Sequence, residues 1–297
     1  MRERYANTGN RGVDAVLSGI RELDERQRLE LESRRAQMHE LVSSIAYECN
    51  GDPEALLRAL QETRPLYKNA LSVYERITVC RELISLCPAL EIGRSLPFNS
   101  LEALPEEAIN KIAFVENNYT SEAFSRISRQ LELATPVFTR SFDELCERVY
   151  NGEVEFGILP VESTDNGKLL YFFSLINKYE LKIAAVCSVD TSDLGSTTFA
   201  LIRKSIEYPR LRFGKPDMLE LFVTQTENDS FSDILTAAEL CSMKLYRVDS
   251  LPLSYRSESF ITCPVFRATD AEIDVFLLYM ALDFPQYTPI GIYSYLE

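Results

Sequence analysis

Polar residues cluster at the end of one predicted strand and the start of another. Glu162, Ser163 and Thr164 directly follow an apolar strand, and Thr197 and Thr198 open a second one. A carboxyl group with hydroxyls nearby could protonate a leaving group or hold a carboxylate substrate. Two simpler interpretations compete. Glu162 could be a loop carboxylate that caps the following helix, and the threonines could be β-branched strand residues.

The composition offers little for metal or histidine chemistry. The one histidine, His39, lies in a polar helical stretch, and the seven cysteines include no CxxC pair. Structural zinc needs clustered Cys and His ligands, and a Ser-His-Asp triad would depend on the same histidine. We therefore expect no metal and no cofactor. The cysteines are interpreted as free buried thiols in a reducing cytosol.

The charge balance limits the classes of partner. Lys and Arg number 31, and Asp and Glu number 45, so the net charge is −14. This charge disfavours nucleic acid and anionic membrane surfaces, although a small anion responds only to local charge. No apolar run approaches the roughly 20 residues of a membrane span. The opening residues MRERY lack the apolar segment of a secretory signal, so we predict a cytoplasmic protein.

The 297 residues fall into three regions that differ in their predicted secondary structure. A chain of this length usually forms more than one domain, at roughly 100–200 residues per domain. We predict an all-α helical region over 1–92 and a small α/β single-lobe domain over 110–206. An α+β ferredoxin-like domain is predicted over 217–297. Linkers are expected at 93–109 and 207–216.

The apolar spacing predicts the elements of each region. The first region should hold a long helix over about 13–45 and shorter ones over 54–61 and 65–86. Alternating strands and helices in the second region favour a mostly parallel sheet. The third region has the β-α-β-β-α-β order of a ferredoxin-like unit. Strands are predicted at 111–115, 156–160, 181–189, 197–203, 219–224, 244–251, 259–265 and 290–295, and helices at 121–131, 142–151, 169–179, 232–241 and 271–282.

The middle region resembles a known enzyme family. The run FGILPVESTDNGKL at 156–169 resembles the prephenate dehydratase signature, a strand ending in Gly-Val-x-Pro-Ile-Glu-Asn-Ser. SFDELCERV at 141–149 and IAFV at 112–115 are similar to the family's neighbouring elements. The resemblance implies conversion of prephenate to phenylpyruvate with loss of water and CO₂. It places Glu162, Ser163, Thr164 and Thr197 at catalytic positions and Thr198, Tyr119 and Thr120 at substrate-binding positions.

The flanking regions resemble the modules fused to this family. RVDSLP at 247–252 and IGIYS at 290–294 are similar to motifs of the regulatory ACT domain. This implies ligand regulation at Asp249, Ser250, Asp229 and Ser230. The first helix, with Arg34-Arg35, is similar to the all-helical chorismate mutases, which implies a substrate-binding role for Arg34. The order mutase, dehydratase, ACT is that of bifunctional enzymes of phenylalanine synthesis.

Several residues depart from these families. Thr198 stands where the dehydratase motif has arginine, and Leu17 and Ile45 stand where the mutase site has cations. The interval from Glu162 to Thr197 is too short to hold the second lobe of a dehydratase. A single lobe would lack the opposite wall that excludes water from the reaction. A second subunit could supply that wall, for instance through the face around 247–255.

Two classes of function stay open. One is a prephenate dehydratase-type enzyme of weak or altered activity, acting on an aromatic-pathway ligand such as prephenate, chorismate or phenylalanine. The other is a catalytically degenerate partner or sensor that kept its oligomerising modules. The long first helix cannot bury its apolar stripe against two short helices, so we expect a homodimer.

Overall fold

The computed structural model describes residues 3–49, 52–68, 70–87, 104–163, 167–191, 195–206, 212–225, 231–252 and 260–296. The chain opens with three helices, α1 (Glu3–Glu48), α2 (Pro53–Tyr67) and α3 (Val73–Leu86). The long first helix is confirmed. These three helices form the helical region.

The boundary between α2 and α3 differs from the prediction of one helix over 65–86. Pro65 lies inside α2, and α3 begins after Ser72. The Glu75 amide donates to the Ser72 hydroxyl, and the Ser72 amide donates to the Glu75 carboxylate. This reciprocal capping box fixes the start of α3.

Only the last part of α1 is buried in the chain. Met38, Val42 and Ile45 are buried in the core. The earlier apolar residues are exposed, with Val16 at 63% and Leu17 at 46%. Within the described part of the chain, no helix is long and apolar enough to cross a membrane.

The middle of the chain alternates strands and helices, as predicted. A short 3-10 turn precedes it, and the predicted strand over 111–115 is reproduced without change. The prediction missed two strands, β2 and β4. The elements are β1 (Lys111–Val115), α4 (Asn118–Ser128), β2 (Thr135–Thr139), α5 (Phe142–Tyr150), β3 (Phe156–Ser163), β4 (Gly167–Lys168), α6 (Leu170–Lys178), β5 (Lys182–Thr191) and β6 (Gly195–Arg203).

The last part of the chain has the predicted β-α-β-β-α-β order. Its elements are β7 (Met218–Gln225), α7 (Ser232–Leu240), β8 (Lys244–Pro252), β9 (Phe260–Arg267), α8 (Ile273–Asp283) and β10 (Thr288–Leu296). The strands lie side by side in the order β10-β7-β9-β8, and all three contacts are antiparallel. This is the arrangement of a ferredoxin-like unit.

One sheet runs through both strand-containing regions, in the order β2-β1-β3-β6-β5-β10-β7-β9-β8, with β4 beside β3. The link is a parallel pairing of β10 with β5, in which Gly291 lies opposite Ile183. A Cβ at Gly291 would lie 2.8 Å from the Ile183 Cβ, so the pairing needs glycine there. The two predicted modules therefore share a sheet across the expected linker at 207–216.

The sheet is mixed, which corrects the expectation of a mostly parallel one. β1 is parallel to β2 and β3, whereas β6 is antiparallel to both β3 and β5. The connection between β5 and β6 is too short for the crossover that parallel neighbours require. β5 and β6 therefore pair as antiparallel neighbours, with Thr191 opposite Gly195.

Helices cover both faces of the sheet. Helices α5 and α6 pack on one face along its whole length. Helix α4 covers the other face at the β1 end, and α7, α8 and the helical region cover it at the ferredoxin-like end.

Charged contacts attach the helical region to the ferredoxin-like unit. Buried Arg76 donates to Asp283 over 2.7 Å, and Arg64 contacts the same carboxylate over 3.1 Å. Arg81 binds Glu272 at the start of α8, with a shortest distance of 2.6 Å. The helical region is therefore fixed to the unit that it covers.

Candidate active site

Glu162 lies near the end of β3, beside an irregularity in the strand. The register with β6 shifts between Pro160 and Glu162, so that Glu162 lies opposite Thr198. Such bulges redirect side chains and are common beside active sites. Strand β3 runs parallel to β1 and continues beyond its carboxyl end. Glu162 therefore stands at the edge where α/β sheets bind ligands.

Arg247 of the ferredoxin-like unit contacts this carboxylate. Its Nη1 donates to Glu162 Oε2 over 2.9 Å, and the two side chains are 28% and 32% exposed. Six strand spacings separate β3 from β8 in the sheet, which is about 29 Å in a flat sheet. The sheet therefore curves until its ferredoxin-like end faces Glu162.

Helix α6 fills the inside of this curve. Phe173 of α6 belongs to one core cluster with Val161 of β3 and with Ile261 and Cys263 of β9. The same cluster includes Val186 of β5. The strands on both sides thus pack on one helix. This packing holds Glu162 and Arg247 on facing walls.

Arg247 is surrounded by carboxylates. Its Nε lies 3.1 Å from Asp249 Oδ2, and Glu220 lies close enough to interact with its charge. Burial opposes the charge of Arg247, but Asp249, Glu162 and Glu220 outweigh burial and raise its pKa. Buried Glu220 also accepts a hydrogen bond of 2.9 Å from Tyr293. Burial, with the Glu220 charge second, raises the pKa of Tyr293 well above its usual value. Three carboxylates therefore surround the Arg247 guanidinium.

The two threonines project from opposite faces of β6. Thr198 lies opposite Glu162, and its hydroxyl is 3.3 Å from that of Ser188 on β5. Thr197 lies opposite Ser163 and opposite Val189, which belongs to the core on the other face. Successive side chains of a strand alternate between faces. The structure thus brings Thr198, rather than Thr197, to the side of Glu162.

The first helix of this region starts at the same edge of the sheet. Tyr119 and Thr120 lie in the first turn of α4, directly after β1. The Thr120 hydroxyl donates to the Val115 carbonyl over 2.6 Å and accepts from the Asn117 amide. It is thus part of a capping box, whereas the Tyr119 side chain is exposed. Thr120 therefore fixes the helix start.

Of the other predicted site residues, Asp249 joins Glu162 at Arg247, and the rest lie elsewhere or in undescribed segments. Arg34 is in the helical region, where its Nε lies 2.6 Å from Glu75 Oε1 and its Nη2 donates to the Ala70 carbonyl. Asp249 contacts Arg247, and Ser250 is exposed on β8. Thr164, Asp229 and Ser230 lie outside the described residues.

The sequence motifs do not pair Glu162 with a residue of the same chain. Arg247 lies in the run RVDSLP and Tyr293 in the run IGIYS, both of which resemble ACT-domain motifs. That resemblance implies no contact of either residue with Glu162. Glu220 lies outside both runs. Within the described residues, no group of His, Cys, Asp and Glu could hold a metal ion.

Comparisons with known proteins identify the fold. Neither the family models nor the curated proteins give a match. Among solved structures, prephenate dehydratase from Streptococcus mutans is 17% identical, with a TM-score of 0.51 over 63% of this chain and 99% of that chain. The same enzyme from Arthrobacter aurescens, in complex with L-Phe, is 14% identical, with a TM-score of 0.46 over 62% and 90%. GqqA, described as a quorum quenching acylase, is 15% identical, with a TM-score of 0.48 over 62% and 95%.

The fold of this chain is therefore prephenate dehydratase-like. The share of this chain that the Streptococcus mutans enzyme covers is larger than residues 110–206 could supply by themselves. The likeness therefore extends into another part of this chain. Nearly all of that enzyme structure has a counterpart here.

Proposed function

We propose that this chain is a prephenate dehydratase-related protein of aromatic amino acid biosynthesis with a degenerate active site. The fold supports the relationship, and the motif at 156–169 supports placing the site at Glu162. The ion pair between Arg247 and Glu162 carries the proposal. It fills the space between the facing walls with a contact internal to the protein.

The charges at the site explain the weak catalysis that we propose. Dehydration of prephenate expels a hydroxyl group and CO₂, so it needs a proton donor and positive groups that hold two carboxylates. The guanidinium of Arg247 already faces Glu162, Asp249 and Glu220. A substrate with two carboxylates would add charge of the same sign. We therefore propose that the protein binds a pathway ligand with little turnover.

A slow dehydratase is the second candidate. The position of Glu162 opposite Thr198, whose hydroxyl lies 3.3 Å from that of Ser188, favours it. The ferredoxin-like unit would then form the second wall of the site, opposite the strand that carries Glu162. This candidate requires that substrate binding separate Arg247 from Glu162.

We further propose that the helical region is a vestigial chorismate mutase-like module. Its candidate arginine, Arg34, is paired with Glu75. Leu17 is exposed and Ile45 is buried in the core, at two positions where the mutase site needs cations. A cage around a dicarboxylate would lack those charges.

We propose that the ferredoxin-like unit is an ACT-like module.

We also propose that the protein is a cytoplasmic homodimer. The dimer proposal rests on the exposed apolar residues of α1, because an apolar stripe of this length normally contacts a partner. Their spacing of three and four residues is that of a two-helix seam. The stripe comprises Val13, Val16, Leu17, Ile20 and Leu23.

Calorimetric titration with prephenate and chorismate tests the binding part of this proposal. We expect weak but measurable binding of prephenate, strengthened by Glu162→Lys, because this change replaces one of the three carboxylates around Arg247 with a second cation that can bind the dicarboxylate. Glu239→Lys, the same charge change at an exposed residue of α7, is the matched control and should bind as wild type does. Absence of prephenate binding, or equal binding by Glu162→Lys, would contradict a ligand site at Glu162.

A further inference from the structure

A cavity separate from the candidate active site lies where the two strand-containing units join. It has a volume of about 570 Å³, within the range of small-molecule sites. The end of α6, the start of β5, the end of β7 and the connection between α8 and β10 surround it. Both strand units therefore contribute to its walls. Glu162, Arg247 and the other residues of the candidate active site are not among its lining residues.

Lys182 is a buried charged residue in the lining of this cavity. Its side chain belongs to a residue that is 5% exposed, and Nζ donates to the Pro289 carbonyl over 3.2 Å. An ammonium group has three donor hydrogens, so this bond leaves two for a ligand. Burial lowers the pKa of Lys182 to about 8, opposed by the nearby Glu180 charge. The amine is thus desolvated and is still mostly protonated at neutral pH.

The other lining residues favour an anion with an apolar body. The charged side chains of the lining are Lys182, Lys204 and Glu180, so the local balance is positive in a chain of net charge −14. Lys204 Nζ lies 5.5 Å from the centre of the Tyr150 ring. Aromatic side chains that include Phe222 form much of the remaining wall.

We propose that this cavity binds a small monocarboxylate with an aromatic or branched apolar body, whose carboxylate contacts Lys182. Charge-assisted hydrogen bonds to a desolvated ammonium are stronger than neutral ones. A free amino acid fits less well, because its own ammonium group would approach two lysines. This site is separate from the one at Glu162 and extends beyond the function proposed above.

Binding of such a ligand should depend on pH. The groups that line the cavity and can titrate are Lys182, Lys204, Glu180 and three tyrosines. Lys182 loses its proton near pH 8, below the range of an ordinary lysine. Affinity for a carboxylate should therefore fall as the pH rises from 7 to 9.

Titration of the full chain with phenylacetate, phenylacetamide and L-phenylalanine tests the proposal. We expect phenylacetate to bind at least about tenfold more tightly than its uncharged amide or the amino acid. Lys182→Met should remove most of this preference. Lys215→Met, at a lysine outside the cavity, should leave it unchanged. Equal binding of acid and amide, or wild-type binding by Lys182→Met, would overturn the proposal.

A second measurement needs no variant. Acetylation of Lys182 by acetic anhydride, followed by mass spectrometry of the wild-type chain, should slow several-fold with phenylacetate present. The exposed Lys215 should be acetylated at an unchanged rate. If phenylacetate binds without protecting Lys182, or fails to bind, the assignment of this cavity is wrong.

Discussion

Arg247 and Glu162 form an ion pair of 2.9 Å although they lie on strands six spacings apart in one sheet. The contact depends on the curvature of the sheet around α6. It turns the ferredoxin-like unit into the wall that faces Glu162 at the end of β3. This wall comes from the same chain.

Removing Arg247 should lower the free energy of unfolding more than removing its partner Glu162. Arg247→Met leaves Glu162, Asp249 and Glu220 close together, so we expect a loss of about 2 kcal/mol in the free energy of unfolding. Glu162→Gln keeps Arg247 paired with Asp249 and should cost less than about 1 kcal/mol. Urea unfolding of both variants and the double variant measures these values.

The double variant serves as the control for this pair. Its cost should differ from the sum of the single costs, because the two side chains touch. Strict additivity would mean that the pair does not interact in solution. A larger cost for Glu162→Gln than for Arg247→Met would contradict the role given to the three carboxylates.

Asp283 should be the most sensitive charged residue between the helical region and the ferredoxin-like unit. Its carboxylate is buried and binds Arg76 and Arg64. Asp283→Asn should lower the free energy of unfolding by about 3 kcal/mol, because Arg76 keeps a buried charge with weaker compensation. Glu272→Gln, at a more exposed pair with Arg81, should cost less than about 1 kcal/mol. Equal costs in thermal or urea unfolding would refute this difference.

The fold could be predicted further from the sequence than the site could. The order of elements followed from apolar periodicity, and β1 was placed without error. Strand β2 was missed because its residues are largely exposed and give no apolar run. Pro65 suggested a helix start at 65, but the helix α3 begins after Ser72. The hydrogen bonds between Ser72 and Glu75 set that start, and these two residues fit the capping-box pattern in the sequence.

The site was harder to predict, because two local patterns mislead. Alternation on β8 suggests that Tyr246 and Val248 face the core, yet both are exposed. Arg247 and Asp249 instead lie opposite Val265 and Cys263, on the covered face. The bulge near Glu162 arises from the pairing of β3 with β6. The local sequence therefore does not show that Thr198, rather than Thr197, lies on the same side of the sheet as Glu162.

Lys182 should make stability depend on pH. Its pKa is about 8 in the folded chain and near 10.5 for a free lysine. Between these values the unfolded chain binds more protons, so the free energy of unfolding should rise with pH. The gain is at most about 3 kcal/mol. Lys182→Met should lack this rise in urea unfolding between pH 7 and 10, and identical profiles would contradict the lowered pKa.

The exposed stripe of α1 should mediate dimerisation. We expect light scattering to give about twice the 33.9 kDa mass of one chain. Ile20→Glu with Leu23→Glu should yield monomers, because charges would have to be buried in the seam. Ser18→Glu, on the opposite side of the helix, should leave the dimer intact. A monomeric wild type at micromolar concentration would rule out the dimer.

Steady-state turnover of prephenate by the purified chain tests the central claim most directly. With Arg247 already engaged by Glu162, Asp249 and Glu220, we predict a rate lower than that of intact prephenate dehydratases by about 10³-fold or more. Thr197→Ala and Glu162→Gln should leave any residual rate unchanged. A rate comparable to those enzymes that collapses in Thr197→Ala would show that the site is a working dehydratase.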